Sequence, residues 1–247
     1  MKLEQSCTRR GWMSATAGVA AVAIDGQLWA ADGKPTPKKG AKPSKDEAEV
    51  TATEDLMREH GVIRRALLVY QESAARLRQK AGAVDPAALH QTAQLFREFG
   101  EDYHEKKLEE THIFPAVRKA GGRAASYPDI LTAQHNRGRE ITAYILAVTN
   151  AGKIASANAE PLARTMEGLV RMYENHAARE DTIVFPAWKK TMSAKQLDEI
   201  GDKFEEIEHQ TFGKDGFDDA EQRISRIEGM LGLEDLSQFT PPAPPGI

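Results

Sequence analysis

The chain contains two copies of a segment in which a histidine and a glutamate precede the dipeptide Phe-Pro. The later copy has His176 and Glu180, and the earlier copy has His104 and Glu109. Helical residues four positions apart lie on one face, about 40° apart around the axis and about 6 Å along it. His176 and Glu180 can therefore reach the same metal ion. Imidazole nitrogens and carboxylate oxygens without thiolates suit iron, manganese or zinc.

Two further histidines, His60 and His135, lie on apolar helical stripes elsewhere in the chain. A single histidine on such a stripe is usually a core residue with a polar partner. Four successive helices that each direct a histidine inward, two of them with a glutamate, instead predict a metal centre. Carboxylates that can bridge favour a pair of ions. The candidate ligands are His60, His104, Glu109, His135, His176 and Glu180.

The spacing of five between His104 and Glu109 is irregular for an α-helix. It separates the two side chains by about 140° around the axis. The inward stripe itself shifts there by one residue, which a π-bulge absorbs, and π-bulges are frequent at functional sites. Glu105 is the alternative ligand, but the duplicated segment aligns Glu109 with Glu180. The stripe runs through Phe96, Gly100 and His104 and then through Glu109, Ile113 and Val117.

Four amphipathic helices are predicted to position these residues. Their apolar stripes recur at steps of three and four, and Gly and Pro residues separate them. Asp85 is a plausible N-cap of the second helix, and Gly121 ends it. Short connections between helices of this length favour an antiparallel arrangement. We therefore predict an all-α fold, an up-down-up-down antiparallel four-helix bundle with a C-terminal helical extension.

The chain divides into four predicted regions. Lys, Pro and Gly dominate the second region, which has almost nothing to bury. The last region contains two shorter helices and a Pro-rich end that cannot be helical. The regions are a signal segment at 1–30, a flexible linker at 31–50, a metal-binding bundle at 51–191, and C-terminal helices with the Pro-rich tail at 192–247.

Composition excludes several classes of function. The 33 basic and 37 acidic residues give a net charge of −4, so the chain has no excess of positive charge that would attract nucleic acid. The single cysteine, Cys7, excludes an intramolecular disulfide and a thiolate metal cage. No long stretch alternates with a period of two, so a β architecture is poorly supported.

The N-terminal segment resembles a twin-arginine export signal. Arg9 and Arg10 precede a small and apolar stretch. The expected location is therefore the periplasm, with the cytoplasm as the alternative if the paired arginines belong to a simple extension. Asp25 interrupts the apolar stretch, and the residues at the end of that stretch form a poor cleavage site. The signal segment could therefore stay uncleaved, and only in that case do we expect the protein to contact a membrane.

Over about residues 51–191, the chain resembles hemerythrin-like di-iron proteins. Their pattern of one histidine on the first and third helices, and of a histidine with a glutamate before Phe-Pro on the second and fourth, maps onto the six candidate ligands. The resemblance implies two iron ions, bridged by the two glutamates and by an oxo or hydroxo group. Open positions would accept a small diatomic ligand.

Arg139 stands where oxygen-carrying hemerythrins have a fifth histidine. Arginine cannot ligate a metal, so the chain resembles the branch with four histidines and two carboxylates. Dioxygen or nitric oxide binding for sensing or buffering is the first expectation. The alternatives are an enzyme that consumes nitric oxide or peroxide, an iron-delivery protein, and a structural bundle with an incidental zinc ion. The sequence does not decide between binding and turnover, or identify a redox partner.

Overall fold

The computed structural model describes residues 50–80 and 82–245, and every regular element in these ranges is a helix. The predicted all-α class is confirmed, and the described residues contain no strand. The up-down-up-down order stays a prediction. The proposed signal segment, and the linker up to residue 49, lie outside the described residues.

Four long helical stretches are followed by two shorter helices. Two of the long stretches change from α to π geometry and back without a break. The elements are α1 (Ala52–Gln79), α2 (Pro86–Leu95), a first π-helical segment (Phe96–Ile113), α3 (Phe114–Ala120), α4 (Pro128–Thr149), α5 (Ser156–Arg179), a second π-helical segment (Glu180–Val184), α6 (Phe185–Lys189), α7 (Ala194–Phe212) and α8 (Gly216–Leu231).

Local capping explains where the first long stretches begin and end. The Thr51 side chain accepts from the backbone N–H of Glu54, whose own side chain accepts from the N–H of Thr51. The Asp85 carboxylate accepts from the N–H of Ala87, so the predicted N-cap is confirmed. Gly121 has φ 74°, a left-handed value that favours glycine, and it follows the last residue of α3.

Both π-helical segments end immediately before a Phe-Pro dipeptide. The N–H of Phe114 donates to the carbonyl of Glu109, and that of Phe185 donates to the carbonyl of Glu180, each five residues back. The predicted irregularity after His104 is thus confirmed, although it spans a longer segment than one bulge. The second π-helical segment was not predicted, because the spacing of four between a histidine and Glu180 gave no sign of it.

The core lies between α1, α5, α4 and the stretch formed by α2 and the first π-helical segment. Helix α8 packs on α1 and α2, and α7 contacts the first π-helical segment. Arg65 on α1 ties α8 down through Glu221, Ser225 and Glu228. Among the described residues, no helix is both long and apolar enough to cross a membrane.

Candidate metal centre

Four buried histidines form two pairs in the middle of the core. The Nε2 atoms of His60 and His104 are 3.0 Å apart, and those of His135 and His176 are also 3.0 Å apart. We call them the first and second histidine pairs. Each ring is at most 2% exposed. The first pair joins α1 to the first π-helical segment, and the second joins α4 to α5.

Two glutamates lie between the pairs, and each directs one carboxylate oxygen to each pair. Glu109 Oε1 is 3.4 Å from His104 Nε2, and its Oε2 is 3.4 Å from His135 Nε2. Glu180 Oε1 is 3.1 Å from His176 Nε2, and its Oε2 is 3.6 Å from His60 Nε2. The structure therefore brings all six residues together, in the geometry that two bridging carboxylates require.

The two carboxylates lack what a buried anion normally needs. All four oxygens of Glu109 and Glu180 are buried and accept no hydrogen bond of good geometry. Leaving a buried carboxylate without donors is costly, so such groups are usually paired or bind metals. A pair of cations between the histidine pairs would satisfy all four oxygens. The residues therefore fit a dinuclear metal ion site.

Each histidine is oriented from the other side of its ring by a residue on an adjacent helical stretch. Glu59 Oε2 lies 2.6 Å from His104 Nδ1. The other three Nδ1 distances are 2.7 Å from His60 to Asp181, 2.8 Å from His135 to Glu110 and 2.8 Å from His176 to Gln134. We call these four acceptors the outer ring. An acceptor at Nδ1 makes that nitrogen the donor and directs the Nε2 lone pair to the centre.

The charges inside the site depend on one another. Burial lowers the pKa of His104, but the carboxylates of Glu109 and Glu59 outweigh it and raise this pKa well above its usual range. Burial likewise lowers the pKa of His135, yet the charge of Glu105 and the nearby carboxylates of Glu109 and Glu110 raise it to about 10. Without a metal, protons on these histidines neutralise the carboxylates. A metal ion would displace those protons.

The family model described as the hemerythrin HHE cation-binding domain matches residues 51–188, more than half of the chain. The chain belongs to this family. Uncharacterized proteins of Mycobacterium bovis and of two Mycobacterium tuberculosis strains are 44% identical to it over 210 residues, which cover 84% of this chain and 81% of each relative. No solved structure is significantly similar to the chain.

In this hemerythrin domain, the alternative ligand Glu105 points into a different polar cluster. It accepts from the Tyr173 hydroxyl at 2.6 Å and from Arg139 at 3.2 Å. Its nearest distance to His135 is 3.9 Å and involves Nδ1, the nitrogen that faces away from the two glutamates. Arg139 also donates to Glu110 at 2.7 Å. It thus binds one buried and one partly buried carboxylate.

Gly138 makes room for the phenol that holds Glu105. A Cβ atom added to Gly138 would lie 2.1 Å from the Tyr173 hydroxyl oxygen. Another tyrosine, Tyr103, precedes His104 in the sequence and donates to Glu59 at 3.0 Å. Each phenol therefore contacts the hemerythrin site indirectly, Tyr173 through the buried Glu105 and Tyr103 through the buried Glu59.

Sequence reasoning missed the outer ring of the hemerythrin site. A signal was present, because each member is the immediate neighbour of a candidate ligand in the sequence: Glu59, Glu110, Gln134 and Asp181. The missing information was that each one serves a histidine on another helical stretch. Of the remaining histidines, His90 contacts Thr149 and His112 lies beside Phe204, so neither joins the cluster.

Proposed function

We propose that the chain is a hemerythrin-like protein, a four-helix bundle with up-down-up-down order that holds two iron ions. His60 and His104 would bind one ion, and His135 and His176 the other. Glu109 and Glu180 would bridge them. The observation that carries this proposal is the pair of buried carboxylates, each aimed at both histidine pairs and lacking a hydrogen-bond donor.

The function that this centre supports best is the binding of a small diatomic ligand, dioxygen or nitric oxide, for sensing or buffering. A pair of ferrous ions would supply the electrons and open coordination positions that such ligands need. The protein would contribute an enclosed site, because all six ligand residues are at most 2% exposed. Exclusion of water favours reversible binding over loss of a reactive product.

A second candidate is an enzyme that consumes nitric oxide or peroxide. The cluster of Glu105, Tyr173 and Arg139 favours it, because a carboxyl group with two hydrogen-bond donors lies beside the second histidine pair. Burial raises the pKa of the Glu105 carboxyl above its ordinary value, which makes it a better proton donor than an exposed glutamate. Turnover that releases water requires such a proton source.

The experiment starts from the full chain, loaded anaerobically with Fe(II) and mixed with dioxygen or nitric oxide in a stopped-flow spectrometer. A stable spectrum that reverses when the gas is removed supports binding. Rapid oxidation with continued gas consumption supports the enzyme. Absence of any reaction by a protein that holds two irons contradicts both functions.

Metal analysis of variants tests the site itself. Glu109→Ala or Glu180→Ala should lower the iron content from about two ions per chain to one or none, since each carboxylate would serve both ions. Glu105→Ala is the matched control on the same helical stretch and should keep both ions. Loss of iron from the Glu105 variant alone would move the second-helix ligand to Glu105.

A further inference from the structure

The outer ring contains one member of different chemistry. Three of its residues, Glu59, Glu110 and Asp181, accept with a carboxylate, whereas Gln134 accepts with an uncharged amide. A carboxylate that accepts from the far nitrogen of a histidine makes that histidine a more basic metal ligand. His176, which donates to Gln134, lacks this support. The two histidine pairs are thus alike in geometry but not in donor strength.

The first histidine pair has strong acceptors on both rings. His104 donates to Glu59, which is 1% exposed and whose other oxygen accepts from the neutral Tyr103 hydroxyl. His60 donates to Asp181 Oδ1, while Arg64 binds the other oxygen of that carboxylate. Asp181 is therefore shared between His60 and a guanidinium, but through different oxygens. Both rings of the first pair therefore have a carboxylate acceptor at Nδ1.

The second histidine pair has one carboxylate acceptor, Glu110, and one amide acceptor, Gln134. His135 and Arg139 donate to the same oxygen of Glu110, at 2.8 and 2.7 Å, so the guanidinium competes for the charge that would support the histidine. The Arg139 side chain is only 20% exposed. Glu105 lies nearby, but it bonds to Tyr173 and Arg139 and lies 3.9 Å from His135 Nδ1.

We propose that the two metal positions differ in affinity, and that Glu59 and Gln134 are the positioning residues that set the difference. The position at His60 and His104 fills first and holds its ion more tightly. The position at His135 and His176 fills second and loses its ion first. This inference rests on the proposed two-ion centre, and it identifies the ion at the second pair as the exchangeable one.

The test is a titration of the metal-free full chain with Co(II), followed by visible absorption, with the filled position located by anomalous X-ray scattering at one equivalent. The wild type should bind two ions in two resolved steps, the first at His60 and His104. Glu59→Gln should weaken the tight step about 10- to 100-fold, the usual effect of removing such a partner. Gln134→Glu should tighten the weak step by a similar factor.

The double variant Glu59→Gln/Gln134→Glu should reverse the order, so that the first Co(II) lies at His135 and His176. A role of these residues in folding alone would not move the ion from one position to the other. Gln134 is only partly buried, so Gln134→Glu keeps the test decisive if Glu59→Gln does not fold. Glu98→Gln and Gln91→Glu, the same changes at exposed positions, should leave both steps as in the wild type.

The outcomes separate the two proposals. A wild type that binds fewer than two Co(II) ions contradicts the two-ion centre itself. Two ions bound with equal affinity, or an order of filling that neither Glu59→Gln nor Gln134→Glu changes, overturns the inequality while leaving the two-ion centre intact.

Discussion

Three glutamates spaced four residues apart are buried to a similar extent, but their pKa values are not all shifted in the same direction. Glu101, Glu105 and Glu109 are 0–2% exposed. Burial raises the pKa of Glu101 to about 7, since its bonds to Thr142 and Arg97 compensate only in part. Facing His104 and His135, Glu109 instead has a pKa well below its usual range, although burial alone would raise it. The groups that contact each carboxylate, and not its burial alone, therefore determine whether its pKa is raised or lowered.

Glu101→Gln should remove a pH dependence of folding stability. A carboxyl with pKa 4.5 unfolded and about 7 folded binds more protons in the native state between these values. The wild type should therefore lose about 3 kcal/mol of stability between pH 4.5 and 7 relative to Glu101→Gln. Urea unfolding of both metal-free proteins across this range measures it. Parallel stability curves for the two proteins would contradict the prediction.

The sequence revealed the six candidate ligands because helical periodicity converts spacing directly into direction. It did not reveal their orienting partners, because which residue of one helix meets a histidine on the next depends on helix rotation and separation. Glu59 illustrates this limit. It adjoins His60 in the sequence but bonds to His104, on another helical stretch.

At the scale of elements, the same limit separates the two π-helical segments. The first was predictable because a spacing of five disturbed the apolar stripe. The second begins at Glu180, after the regular step from His176, so the pattern of inward residues contained no irregularity. Hydrogen bonds closed by Phe114 and Phe185 make the two segments end alike. A proline follows each phenylalanine, in the first turn of α3 and of α6.

Arg65 joins helix α8 to α1 through three side chains of α8. Arg65 donates to Glu221, Ser225 and Glu228 at 2.5–2.9 Å. We expect Arg65→Ala to cost about 1–2 kcal/mol, a value reduced because the side chain is partly exposed. Amide hydrogen exchange of Gly216–Leu231 should become faster.

Arg78→Ala is the matched control for this prediction. Arg78 is also on α1, but it pairs with the exposed Glu160 and Glu167 on α5. Exchange in α8 should be unchanged in this variant. Equal acceleration in both variants would mean that α8 depends on the general stability of the domain and not on the Arg65 contacts.

At the scale of the whole molecule, the similarity to the mycobacterial relatives is longer than the hemerythrin domain. It spans 210 residues, whereas the domain matches residues 51–188. The chain and these relatives therefore also share sequence similarity outside the hemerythrin domain. The sequence predicted the helical extension, but not which helices α8 packs on, because contacts such as those of Arg65 join residues that are distant in the sequence.

Export in a folded state would suit a protein whose metal ligands come from four helical stretches, since the metal can be loaded before transport. We propose that Arg9 and Arg10 direct this export. Arg9→Lys/Arg10→Lys should leave the protein in the cytoplasm with its metal bound, as judged by cell fractionation and metal analysis. Lys2→Arg is the control that leaves the pair intact and should be exported. Recovery of the double variant from the periplasm would refute the proposal.

The division of ligands along the chain has a consequence for assembly. The first half of the domain supplies one histidine pair and Glu109, and the second half supplies the other pair and Glu180. Each half alone can offer an ion no more than two imidazoles and one carboxylate. A full coordination shell at either position exists only after the halves have docked in register. Bound metal would therefore report correct tertiary assembly, and a misdocked chain would be marked by its failure to retain the ions.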